Sequence, residues 1–70
     1  LRDYERGDVV EYSTFPKSSL WAPREAGLVV DVEYKVKSDD FLVYIMWPNG
    51  LRPQALFQKD CHKRGLRIVN

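Results

Sequence analysis

Few residues in this chain have a type and spacing suited to covalent chemistry. Cys61 and His62 are the single cysteine and the single histidine, and they are adjacent. A nucleophile needs its base within hydrogen-bond reach. Neighbours on a strand point to opposite faces, and neighbours on a helical turn diverge, so the pair is read as a buried thiol beside a surface histidine. Two such ligands also fall short of the four that structural zinc takes. Asp39-Asp40 has the look of a carboxylate pair, but with Ser38 it reads as a polar turn between two strands. The four glycines are dispersed, so no loop is built to cradle a phosphate. The expectation is a protein that is not an enzyme, with no catalytic residue, no metal and no cofactor.

Charge and aromatic residues suggest binding. The chain has 70 residues and a net charge of +1, which argues against a strongly basic binder of nucleic acid or membrane surface. Residues 1–40 hold six Lys+Arg and nine Asp+Glu, net −3; residues 41–70 hold five Lys+Arg and one Asp, net +4. The basic set is Arg52, Lys59, Lys63, Arg64 and Arg67. It is a phosphate-binding patch if the fold gathers it, and an ordinary solvated surface if the fold interleaves it with the acids. Phe15, Trp21, Tyr34, Tyr44, Trp47 and Phe57 are the rings available for a cation cage, for stacking on a single-stranded nucleic acid, or for filling a small core.

The elements that must position these residues are strands. Leu28, Val30, Val32, Tyr34 and Val36 share one parity, and Val29, Asp31, Glu33, Lys35 and Lys37 the other. This period of two predicts a half-buried strand over 28–37. Gly27 before it is expected to supply an unusual backbone angle or a bulge. Phe41–Trp47 is a seven-residue run of β-branched, aromatic and other apolar residues, the next strand. Pro48-Asn49-Gly50 predicts a tight hairpin with positive φ, and Leu51–Phe57 the return strand, at an edge or bulged because Pro53 has no N–H. Asp8–Tyr12 and Leu66–Val69 complete five strands. Gln58–Arg64 has room for one turn, expected to be 3₁₀. A long loop holding Pro16 and Pro23 joins the first two strands, and residues 1–7 read as an N-terminal arm before a domain spanning 8–70. The expected central core is Leu28, Val30, Val32, Val43 and Ile45.

Gly7-Asp8-Val9-Val10, the run Gly27 to Val32, and the run Val43 to Gly50 carry a resemblance to the Src-homology-3-like (SH3-like) small barrel. The chain is most similar to small uncharacterised SH3-like proteins of tailed phages, from about Gly7 to Val69, and more distantly to Tudor-type and KOW-type domains. The resemblance implies an all-β, five-stranded barrel with a 3₁₀ turn before the last strand. It also implies a structural or accessory role in a virion. The Tudor and KOW likeness implies the alternative, a reader of nucleic acid or methylated peptide through the basic set.

The strand 41–47 adds an argument of its own. Phe41, Val43, Ile45 and Trp47 share one parity and Leu42, Tyr44 and Met46 the other, so both faces are apolar. A small barrel has one interior, so the second stripe needs a cover. A domain this small buries only about 60% of its unfolded surface and gains from a partner. Leu42, Tyr44 and Met46, with Trp21 in the long loop, are therefore the expected partner-binding residues, and the partners are other protein subunits. Nucleic acid is a secondary expectation and a membrane is not one. With one cysteine the fold draws nothing from a disulfide-forming route, so a virion or cytoplasmic setting is expected. The sequence starts at Leu1 rather than Met, which leaves open residues before it.

Overall fold

The computed structural model describes residues 1–12 and 26–70. Among these residues the elements are β1 (Val9–Tyr12), β2 (Gly27–Lys35), β3 (Asp40–Met46), β4 (Gln54–Phe57), α1 (Gln58–Lys63) and β5 (Leu66–Ile68). They form a mostly-β small domain: one five-stranded antiparallel sheet in the order β4-β3-β2-β1-β5, with one short helix. The expected barrel is not closed by hydrogen bonds. β4 and β5 are the two edges, only four and three residues long, and α1 lies in the chain between them, packed on β3, β4 and β5.

The register of β2 corrects the expected core. Val29 pairs with Ile45 and Asp31 pairs with Tyr44, so β2 advances two residues while β3 advances one. The extra residue is a β-bulge, and it swaps the two faces of the strand. Before the bulge Val29 points inward and is fully buried, while Leu28 faces outward at 45% exposure. After it, Val32 returns to the inner side and packs, half-buried, against the core. Val43 and Ile45 are buried as expected; Leu28 and Val30 are not part of the core.

Gly27 serves space rather than backbone angle. A Cβ there would stand 2.7 Å from Ile45 Cγ2 and 2.7 Å from Trp47 Cε3, so the ring of Trp47 lies on the glycine. The turn after Trp47 closes with Gly50 N–H donating to Trp47 O at 2.9 Å and has no residue at positive φ. It is not the tight hairpin expected. Leu51, Arg52 and Pro53 are exposed, and β4 starts only at Gln54, since Pro53 has no N–H to pair.

Residues 58–63 form an α-helix, not a 3₁₀ turn. Arg64 N–H donates to Asp60 O at 2.9 Å, an i→i−4 bond, and Gly65 at φ 78° ends the helix in the left-handed conformation. The fully buried Cys61 holds the helix against the sheet. The N-terminal segment is built into the same core. Tyr4 is 2% exposed, and its hydroxyl donates to Leu66 O at 2.7 Å. Asp3 N–H donates to Gln58 Oε1 at 2.8 Å, and Gly7 N–H to Val29 O at 2.8 Å. Every buried side-chain polar atom among the described residues has a hydrogen-bond partner.

Candidate functional site

Strand pairing sets out the outer face of the sheet in rows, because residues directly opposite on antiparallel strands share a face. Val9, Leu28 and Met46 form one row, Asp31, Tyr44 and Ala55 the next, and Glu33, Leu42 and Phe57 the third. Leu42, Tyr44 and Met46 therefore run down the middle of this face, each half-buried by its neighbours. Trp21 lies outside the described residues. Val9, Leu28, Met46 and Pro48 line a shallow, open apolar depression.

Polar groups flank the stripe on the β2 side. Glu33 Oε1 accepts from Lys35 Nζ at 2.9 Å and from Tyr44 Oη at 3.1 Å. The Lys35 bond first, and then the Tyr44 bond, hold the Glu33 carboxyl below its ordinary value. The same contacts push Lys35 and Tyr44 up. All three groups are open to solvent, so they orient Tyr44 more than they stabilise the fold. On the β1–β5 side, Arg67 Nη2 and Glu11 Oε1 lie 2.8 Å apart across the register pair Glu11–Arg67.

The five cations of the basic set lie in three places. Lys59, Lys63 and Arg64 are exposed on α1 and its C-terminal cap. Arg67 is paired with Glu11. Arg52 lies in the β3–β4 connection, at the other end of the β3–β4 pair from the start of α1, where Lys59 N–H donates to Asp40 Oδ2 at 3.3 Å.

The rings are divided in the same way. Trp47 is in the core, stacked on Tyr12 with centroids 5.7 Å apart and Nε1 donating to Gln54 Oε1 at 2.8 Å. Tyr44 and Phe57 are on the outer face, and Tyr34 stands with Phe41 on the other. Phe15 lies outside the described residues.

Cys61 and His62 diverge as expected. Burial, the largest cause, pushes the Cys61 thiol up to about 11, which leaves it protonated at neutral pH. His62 is exposed, with Nε2 2.8 Å from Asp3 Oδ2. Among the described residues no three His, Cys, Asp or Glu side chains are grouped to hold a metal ion.

Sequence reasoning missed Leu28 and Val9 on the outer face. The one hint for Leu28 is Val29, the single apolar residue in an otherwise charged parity, but with no polar residue among 27–30 it does not fix where the alternation changes phase. Comparison with known protein families, curated proteins and solved structures gives no match to this chain.

Proposed function

We propose that this chain is an SH3-like, non-enzymatic assembly module that meets other protein subunits through the outer face of its sheet, as a structural or accessory part of a virion or comparable particle. The strand order, with β1 between β2 and β5, the bulge in β2, and the short helix just before the last strand support the SH3-like reading. The virion setting rests on the resemblance of the sequence to small phage proteins. The observation that carries the interaction reading is the continuous apolar row Val9–Leu28–Met46, joined to Tyr44 and Leu42, on a face that no helix of the described residues covers. An interface core of this kind is apolar and aromatic with a charged rim, and here Glu33, Lys35, Glu11 and Arg67 supply the rim.

The test is a photo-crosslinking amino acid installed at Tyr44 in the native source, with one at Lys37 as the off-face control. A discrete protein adduct from position 44 and none from 37 is expected. A nucleic-acid adduct, or no adduct from position 44, would reject the assembly reading.

A further inference from the structure

A second feature lies on the opposite side of the sheet, at the β2–β3 turn, and is independent of the outer stripe. Tyr34 and Phe41 are a register pair, with ring centroids 5.3 Å apart and planes at 60°. Tyr34 is 49% exposed. Its hydroxyl donates to Asp39 Oδ1 at 2.5 Å. Asp39 has φ 49°, a left-handed conformation that Asp and Asn tolerate, and this backbone holds the carboxylate against the phenol.

Three consequences follow. The hydrogen bond fixes the Tyr34 ring in place, which lowers the ordering cost of binding to it. A phenol donating to a carboxylate has a more electron-rich ring, and such a face attracts cations. Among the described residues the carboxylate has no cation of its own. Lys35 is paired with Glu33, and among the described residues no Lys or Arg forms an ion pair with Asp39 or a cation–π pair with either ring. The Asp39 bond also raises the Tyr34 hydroxyl above its ordinary value. Asp40, next along, is already occupied, accepting from Phe41 N–H at 2.8 Å and from Lys59 N–H.

We propose that Tyr34, Phe41 and Asp39 form a shallow site for the cationic side chain of a partner protein, an alkylammonium or a guanidinium. The rings supply the face and Asp39 supplies the charge. A cross-strand aromatic pair by itself would need no carboxylate hydrogen-bonded to its exposed member.

The experiment is an NMR titration of the intact protein with four capped amino acids: trimethyllysine, lysine, arginine, and the uncharged tert-butyl isostere of trimethyllysine. Saturable shifts confined to Tyr34, Asp39 and Phe41 are expected with at least one cation. The neutral isostere should bind at least about five-fold more weakly. Preference for trimethyllysine would identify a methylated partner, and preference for arginine an unmodified one; either supports the site. Asp39→Asn keeps the left-handed backbone and removes the charge, and should weaken binding about three-fold or more with the melting temperature unchanged. Tyr34→Leu provides a second variant and should abolish the response. Equal binding of the neutral isostere, or shifts that appear equally at Glu5 and Glu33, would show that the pair is cross-strand packing only.

Discussion

The two faces of β3 are equally apolar in sequence and differ completely in structure. Val43 and Ile45 on the inner face are fully buried, and Trp47 just beyond the strand is 9% exposed. Leu42, Tyr44 and Met46 on the outer face are half-exposed. The difference comes from what the rest of the chain brings to each side. The inner face receives Tyr4 from the N-terminus, Cys61 from α1, Leu56 from β4 and Leu66 from β5. Among the described residues the outer face receives only strand neighbours, Leu28, Asp31 and Glu33 from β2 and Ala55 and Phe57 from β4, which flank the apolar stripe without covering it. Apolar content alone therefore does not define a core; the elements that return over a face do.

The largest expected effect breaks this comparison at β2, where the bulge decides which residue faces which way. Val29→Asp places a carboxylate with no partner among Ile45, Val43 and the other core side chains. Its cost is several kcal/mol, on the order of the whole stability of so small a domain. Leu28→Asp, one residue earlier, faces solvent beside Met46 and should cost about 1 kcal/mol or less. Urea unfolding of the two variants measures the contrast. If Leu28→Asp unfolds the protein and Val29→Asp does not, the register of β2 is the one its simple alternation predicts.

That register also shows what the sequence could and could not reveal. Strands with a clean polar parity were legible: Asp31, Glu33 and Lys35 alternate with Val32 and Tyr34, and the structure keeps them as read. The segment Gly27-Leu28-Val29-Val30 has no polar residue, so nothing in it fixes a phase, and the bulge reversed it. The outer stripe of β3 was legible because a strand with two apolar faces is conspicuous. Its extension onto Leu28 and Val9 was not, because it depends on pairing between strands. Tyr4 was hidden for a different reason. It stands alone among charged residues, and a single buried ring has no period to detect.

Tyr4 gives the next prediction, because it makes the N-terminal segment part of the inner face. Tyr4→Ala should destabilise by about 3–5 kcal/mol, the cost of removing a buried aromatic side chain. Tyr4→Phe should cost about 1–2 kcal/mol by leaving Leu66 O without its donor. The buried hydroxyl also predicts alkaline instability. Burial, with the neighbouring Cys61 and Asp3, pushes Tyr4 up to about 12 from an ordinary 10.0, and Cys61 is raised to about 11 from 9.0. Above their ordinary values the unfolded chain has lost these protons while the folded chain still binds them. Stability therefore falls as pH rises, from about 9 to 11 for Cys61 and from about 10 to 12 for Tyr4, by about 3 kcal/mol each at most. Because the two groups interact, their losses do not simply add. Urea unfolding across this range should show the fall in the parent, and Tyr4→Phe should remove its upper part. A parallel decline in the two proteins would mean that the phenol is not held in the core.

The smallest expected effect separates two ways of holding the same segment. Asp3 Oδ2 sits 2.8 Å from His62 Nε2, and this is the most conspicuous polar link between the N-terminus and α1. Both side chains are about half exposed, at 53% for His62 and 52% for Asp3. A pair so open to water gains little, because solvent screens the attraction and two side chains must be ordered to form it. The Asp3 backbone N–H keeps its own bond to Gln58 Oε1 whatever the side chain. Asp3→Asn should therefore lower stability by about 0–1 kcal/mol, and added salt should erase most of the difference. If instead Asp3→Asn costs as much as Tyr4→Ala, the segment is held by its surface link rather than by the buried ring. The inner face would then end at α1 and β5, without the N-terminal residues.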